Sequence, residues 1–219
     1  MNVLVIDVGG SHIKILATGQ TEARRMDSGP SITPSEMVEG VKAMAEGWSY
    51  DAVAIGYPGV VKNNRPVREP YNLGKGWVDF DFAGAFGRPI KIINDAAMQA
   101  LGDFKNEKLL FLGLGTGLGT AMVLEGGTVL AMELAHLPYK DSTFEDHVGE
   151  QALEHHGKKE WRKRVADVVE RLVAALDPDD VVIGGGNVKH LDGLPPGCRA
   201  GENSNAFIGG FRLWEGAAK

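Results

Sequence analysis

Cysteine is nearly missing from this chain. A single residue, Cys198, in 219 leaves no internal disulfide and no cysteine-built zinc cluster, and it fits a reducing compartment. Long apolar runs are missing as well: no stretch approaches the ~20 residues that a membrane-spanning helix needs. The opening MNVLVIDVGG has no basic segment ahead of its apolar residues, as a secretory leader would, and runs straight into a strand pattern. A cytoplasmic protein with no membrane partner is therefore expected. Positive charge is also in short supply. The net charge is -6, so the surface as a whole repels nucleic acid and anionic lipid, and a polyanionic substrate would need a local site. Two common phosphate-binding signatures are absent too. G-x-G-x-x-G fails at its third glycine from Gly113, Gly115 and Gly117, and no G-x-x-x-x-G-K-[ST] occurs, which argues against a Rossmann dehydrogenase and a P-loop NTPase.

Glycine is the residue present in excess. The 30 glycines cluster just after apolar runs, at VGG (8–10), GTGLG (115–119) and IGGG (183–186). Glycine after a strand lets backbone N–H groups come close to a ligand, often a phosphate. Three such turns in one chain suggest a nucleotide or another phosphate chain. Around them, NVLVID (2–7) reads as a buried strand and HIKILAT (12–18) alternates as its hairpin partner would. Thr33-Pro34-Ser35-Glu36 opens a helix that runs to about Trp48, with Thr33 as cap and Pro34 at the first helical position. Further strands are expected at 51–57 and 89–94, followed by a helix at 95–104. The strand pattern returns from Lys108 in three segments. Helices are expected at 145–156 and 158–176, a strand at 180–185, and a closing helix from Ser204. Each half begins with a strand, a Gly-rich turn and a second strand. That order predicts a mixed α/β fold of two related halves. The expected lobes are 1–106, joined by the closing helix 204–218, and 107–203.

Several residues in this frame could carry chemistry. In Asp7-Val8-Gly9-Gly10-Ser11 the glycine N–H groups and the Ser11 hydroxyl could cradle a phosphate. Asp7 could orient water around Mg²⁺, and Lys14 points a cation toward the same region. An ordinary hairpin capped by Asp explains the same residues. Asp95, at a strand-to-helix junction, is either an N-cap or a base that accepts the proton of an attacking hydroxyl. Glu133 and His136 could bind adjacent sugar hydroxyls, form half of a metal site, or lie in a plain surface loop. Asn72 and Trp77 share a Gly-containing loop, where Trp packs more often than it stacks on sugar. His147, His155 and His156 are expected on a helix surface. The basic run KKEWRKR (158–164) reads as a solvated face with i,i+4 pairing, or as a track for a polyanionic donor. Gly184, Gly185 and Gly186 could let a nucleotide lie against the backbone.

Taken in order, these segments resemble the ROK family of sugar kinases. VIDVGGSHIKI is similar to the family's first phosphate motif, AIGYPGVV to its I-G-x-P-G segment, and INDAAMQALGD to its N-D-x-x-x-x-A-x-G-E segment. LGLGTGLGTAMV resembles its second phosphate motif, VVIGGG its adenosine motif, and NAFIGGFRL its closing helix. The resemblance implies a two-lobed actin-like, ribonuclease H-like ATPase fold, with mixed sheets, flanking helices and a central cleft. It implies phosphoryl transfer to the 6-hydroxyl of glucose, with Asp95 as the base and the sugar held by Asn72, Asn94, Glu133, His136 and Glu145. The donor would meet Asp7, Gly9, Gly10, Ser11, Lys14, Gly115, Thr116, Gly117, Gly119 and Gly184–Gly186, with Mg²⁺ near Asp7 through water. ATP, polyphosphate or both could serve as donor, and a homodimer is implied. Two departures stand out. The family's E-x-G-H reads Glu133-Leu134-Ala135-His136, with a methyl group that could crowd the turn. The Cys-rich zinc segment that follows it is absent, so no structural zinc is expected, a pattern similar to the family's polyphosphate glucokinases. The amino-terminal helix-turn-helix of the family's repressors is also absent, which disfavours a transcription factor. A kinase for another hexose or amino sugar, or a non-catalytic sugar sensor, remains open.

Overall fold

A computed structural model describes residues 1–202 and 204–215. The chain divides into two compact units: the first runs from Met1 to Gly102 and resumes at Ala206, and the second spans Asp103–Asn205.

In the first unit, β1 (Val3–Val8) is buried along its whole length, and β2 (His12–Ala17) alternates half-buried with buried residues. They pair antiparallel, with Asp7 opposite Lys14. β3 (Arg24–Asp27) forms an exposed edge. Helix α1 (Pro34–Met44) begins with a complete capping box. Thr33 Oγ1 accepts the Glu36 N–H, and the Glu36 carboxylate accepts the Thr33 N–H at 2.8 Å. The helix stops at Met44, one turn earlier than its apolar pattern suggests. β4 (Ala52–Tyr57), the short helix α2 (Phe82–Phe86), β5 (Ile90–Asn94) and α3 (Asp95–Asp103) follow. The sheet order is β3-β2-β1-β4-β5, with β1, β4 and β5 parallel. Successive side chains of a strand point to opposite faces. Leu4 and Ile6 accordingly enter a core with Ile13, Ile55 and Trp77, while Val3 and Val5 pack with Ala54, Met98 and Phe207. Trp77 is wholly buried and serves packing.

The second unit repeats the plan. β6 (Leu109–Leu114) and β7 (Leu118–Val123) form an antiparallel hairpin, β8 (Val129–Met132) extends it, and a short 3-10 turn (Leu134–His136) follows. Helices α4 (Phe144–Val148) and α5 (Glu150–Leu176) lead to β9 (Asp180–Gly184) and β10 (Cys198–Ala200). The sheet order, β8-β7-β6-β9-β10, matches the first strand for strand. The hydrogen-bonded run of α5 contains Gly157 at φ 72° and ψ 161°, a conformation that breaks the helix where the sequence pattern divides it. Trp161, Val165, Val168 and Leu172 of α5 pack on Leu110, Leu112 and Ile183 of the sheet.

The closing helix α6 (Asn205–Arg212) returns to the first unit. A Cβ at Gly209 would overlap the Met98 backbone of α3 and one at Gly210 would overlap Val5, so both glycines permit the close approach. At the end of α3, the Asp103 carboxylate accepts from Arg199 Nη1 (3.1 Å) and from Asn205 Nδ2 (2.8 Å), while Arg199 also holds Asp180. The first and last residues of the second unit thus meet at one carboxylate. Among the described residues no helix is long and apolar enough to cross a membrane.

Candidate functional site

Parallel strands bring their carboxyl ends to one edge of each sheet, the usual place for ligand sites in α/β proteins. In the first unit the pairing aligns Asp7 with Gly56, and Gly56 with Ile93, so the Asp7 turn, residues 57–59 and the Asn94-Asp95 junction lie along that edge. The turn is tightly closed. Gly9 N–H donates to His12 O (3.0 Å), Ser28 Oγ donates to Gly9 O (2.8 Å), and Ser28 N–H donates to Ser11 O (3.0 Å). A Cβ at Gly9 would stand 2.9 Å from His12 O, and one at Gly10 would touch Asn72 at 3.5 Å. The structure therefore brings Asn72 beside the turn. Asp7 is buried, and that burial raises its pKa from the ordinary carboxylate value, while the Lys14 ammonium opposes the rise. A buried carboxylate beside a bare backbone turn is a donor set that Mg²⁺ accepts together with phosphate oxygens and water.

The Asn94-Asp95 junction divides two duties. Asn94 Oδ1 accepts from Ala97 N–H (3.1 Å), the capping geometry, and its Nδ2 donates to Gly59 O (3.2 Å). Asp95 Oδ1 accepts from the neighbouring Ala96 N–H at 2.8 Å. Asn94 is thus the helix cap, and Asp95 is the residue after it. Both ends of the Asn94 amide hold backbone, which leaves one N–H and one lone pair for a ligand.

In the second unit Gly113 pairs with both Gly119 and Gly184, so the Gly115–Gly117 turn and the Gly184–Gly186 turn share one sheet edge. They are tied together: Asn187 Nδ2 donates to Gly115 O (3.0 Å) and Asn187 N–H to Leu114 O (2.9 Å). Glu145 Oε2 accepts from Leu118 N–H at 3.0 Å, and Glu150 N–H donates to Thr116 O at 3.1 Å. The α4–α5 junction is thereby fastened to the turn that carries Gly115, Thr116 and Gly117. A Cβ at Gly117 would run into the Glu145 carboxylate, within 2.7 Å of its Cδ.

Glu133 and His136 approach to 3.5 Å, both half exposed. Thr120 orients them. Its Oγ1 donates to Met132 O (2.6 Å) and accepts from Leu134 N–H (3.2 Å), bracketing Glu133. The Ala135 methyl is buried in the apolar core of the unit, so it is accommodated and does not crowd the turn. Thr120 and Asn187 went unnoticed in the sequence. The signal available was a polar residue directly after a glycine-rich run, Thr120 after Gly119 and Asn187 after Gly186.

His147 corrects an expectation. It is buried, with Nδ1 2.6 Å from Arg164 and Nε2 3.0 Å from Asp141, and its ring meets Tyr139 edge-on. Its partners come from distant positions that a helical wheel does not show. His155 and His156 are exposed as expected. Tyr139 donates to Asp167, and burial together with that bond pushes its hydroxyl up to about 12. This network holds the segment that carries Glu145. Among the described residues no group of three His, Cys, Asp or Glu is placed to hold a metal.

Comparison with known proteins identifies the family and the fold. The profile of the ROK family matches residues 3–152. The chain is 29% identical over 212 residues to a polyphosphate glucokinase of Mycobacterium tuberculosis, covering 87% of this chain and 80% of that protein. Its structure is similar to the inorganic polyphosphate/ATP-glucomannokinase of Arthrobacter sp. strain KM (TM-score 0.84, 21% identity, 97% of each chain). It is also similar to a ROK hexokinase of Thermus thermophilus (TM-score 0.74, 22% identity, 99% of this chain and 100% of that one). The fold is therefore the actin-like ATPase fold expected from the sequence.

Proposed function

The chain belongs to the ROK family, and from that premise we propose that it is a glucokinase-like sugar kinase, transferring a phosphoryl group from polyphosphate, ATP or both to the 6-hydroxyl of glucose. The observation that carries this reading is the division of labour at the Asn94-Asp95 junction. A carboxylate needed as a helix cap is a poor base, and here Asn94 caps the helix. Asp95, which gives its Oδ1 to the adjacent Ala96 N–H but does not cap the helix, is assigned the proton of the attacking hydroxyl, the role kinases give an aspartate. Asn72, Asn94, Glu133, His136 and Glu145 are assigned to the sugar hydroxyls, where carboxylates accept and amides and imidazole can donate.

The donor phosphates are assigned to the Gly9–Ser11 and Gly115–Gly117 turns, where Gly9 and Gly115 permit close approach while their own N–H groups stay bonded to His12 O and Gly117 O, with Lys14 adding a positive charge. Gly119 and Gly184–Gly186 keep the approach open. Asp7 would hold Mg²⁺ through water, and the ion supplies neutralisation of phosphate charge. Most of the rate acceleration then comes from positioning and from fixed dipoles aimed at the transferring group. The relatives' names support the acceptor and both donors.

The test is glucose-dependent formation of glucose 6-phosphate with Mg²⁺, run in parallel with ATP and with polyphosphate. Turnover with either donor is expected. A protein that binds glucose and turns over with neither donor would be a sensor instead. Asp95→Asn should lose most of kcat while glucose binding survives. Retention of more than about a tenth of kcat, a cost below ~1.4 kcal/mol, removes Asp95 as the base.

A further inference from the structure

The basic run Lys158–Arg164 does not behave as one surface. Trp161 is buried, with its indole N–H donating to Val148 O at 2.8 Å. Arg164 turns inward to His147, and Glu160 pairs with both Lys163 and Arg164. Arg162 reaches a different element: its Nε donates to His190 O at 2.6 Å, and its Nη1 pairs with Asp192. Residues four apart on a helix share a face, so Lys158 lies one turn from Arg162 on the side that meets the 3-10 turn Val188–His190. Lys189 is exposed on that turn. Partial burial lowers the His190 pKa, and the charges of Lys158, Lys189 and Arg162 act in the same direction. Two carboxylates of this region are already engaged, Asp192 by Arg162 and Glu160 by Lys163 and Arg164. Among the described residues neither Lys158 nor Lys189 has an ion-pair partner.

This cluster has a definite place in the unit. The chain enters it directly from the Gly184–Gly186 turn through Asn187, whose side chain is bonded to Gly115 O. A phosphate chain that sat on the Gly115–Gly117 turn and extended past Gly185-Gly186 would approach the Val188–His190 turn, which follows Asn187 directly in the chain. A nucleotide differs here, because beyond its phosphates it presents a neutral ribose and base, whereas a condensed phosphate chain adds a negative charge with every unit. Lysine, a compact point charge on a flexible stem, suits such a chain because it requires no fixed register.

We propose that Lys158 and Lys189, set around His190 and anchored through Arg162, form a subsite for the distal phosphates of a long polyphosphate donor. The proposal rests on the kinase reading for the order of the donor turns. Its ligand chemistry is a condensed phosphate polyanion longer than the triphosphate of a nucleotide. The subsite confers chain-length preference, and it reconciles a protein of net charge -6 with a polyanionic substrate.

The test compares the wild type with the double variant Lys158→Gln/Lys189→Gln, and with Lys42→Gln/Lys62→Gln as a control of equal charge in the other unit. Binding of long-chain polyphosphate, tripolyphosphate and ATP is measured by calorimetry without glucose, across a salt series. The double variant should bind long-chain polyphosphate about tenfold more weakly, with the slope of log affinity on log salt reduced by about two, one for each lysine. Tripolyphosphate, ATP and the control variant should be little changed. Unchanged long-chain affinity, an equal loss for ATP, or an equal loss in the control would each overturn the subsite, as would a wild type that binds no polyphosphate. Because the readout is binding, a protein that binds the long chain through these lysines and fails to transfer phosphate would retain the subsite and refute only the donor assignment.

Discussion

The two hairpin turns occupy equivalent places in matching sheets, yet they are equipped differently. In the first, the next-to-last strand pair before the turn is Asp7 opposite Lys14; in the second, the equivalent pair is Gly113 opposite Gly119. At that pair one hairpin carries an acid and a base, and the other carries no side chain. The means of closure differ as well. Ser28, from the edge of its own sheet, secures the first turn. The second is secured by Glu145 from the α4–α5 junction and by Asn187 from the neighbouring strand end. Duplication of a topology therefore does not duplicate its chemistry. On the proposed kinase reading, the first turn would take a cation with its phosphates, and the second would take phosphates by close backbone approach.

If the second turn depends on backbone proximity, its most sensitive point is Gly185, with φ 88° and the Leu114 backbone directly beneath its missing Cβ. Gly185→Ala should cost about 3 kcal/mol, a fall of roughly 10 °C in melting temperature for a chain this size, read by thermal denaturation. A variant that melts with the wild type would show that the turn is not held so closely. The first turn should fail differently. Asp7→Asn should lower kcat roughly 100-fold while the fold persists, as expected when a charge that acts on the transferring group is removed; full activity would leave the two turns chemically equivalent.

Gly117→Ala should be milder. The new methyl displaces the Glu145 carboxylate, the far end of a flexible side chain, so KM for glucose should rise about tenfold with melting almost unchanged. A changed KM for the donor alone would assign Glu145 to the turn and remove it from the sugar. The smallest effect concerns pH. Burial raises the Asp7 pKa above 3.8, so the folded chain holds that proton more tightly than the unfolded one. Ionised Asp7 then lowers stability as pH rises from 3.8 through the folded-state pKa. With a chelator present, Asp7→Asn should melt above the wild type at neutral pH, and the gap should close as pH falls toward 3.8. A gap independent of pH would mean that the carboxylate is solvated.

The local devices were legible in the sequence because each is written in adjacent residues. Thr33 and Glu36 form the capping box that their spacing indicates, β2 alternates as read, and Gly157 interrupts α5 where the pattern pauses. Features that depend on distant partners were not legible. β3, an exposed edge whose pairing depends on β2, reads as polar loop. The five-residue α2 and the three-residue β10 are too short to show a period. His147 and Arg162 look like surface residues until Arg164, Asp141 and the His190 carbonyl are brought to them by the fold. At the candidate site, glycines and carboxylates were visible from the chain, whereas the assignment of the cap to Asn94 and the bracing of Glu133 by Thr120 required the structure.

The carboxylate shared by Arg199 and Asn205 has a consequence for how such a chain could be assembled or taken apart. Because Asp103 and Asn205 are hydrogen-bonded to each other, the second unit is an insert whose ends adjoin, entering and leaving its host at one point. An insert of that kind adds little loop-closure entropy to the host chain. Changes of length within it would leave its two ends adjoining, so α3 and α6 could keep their places.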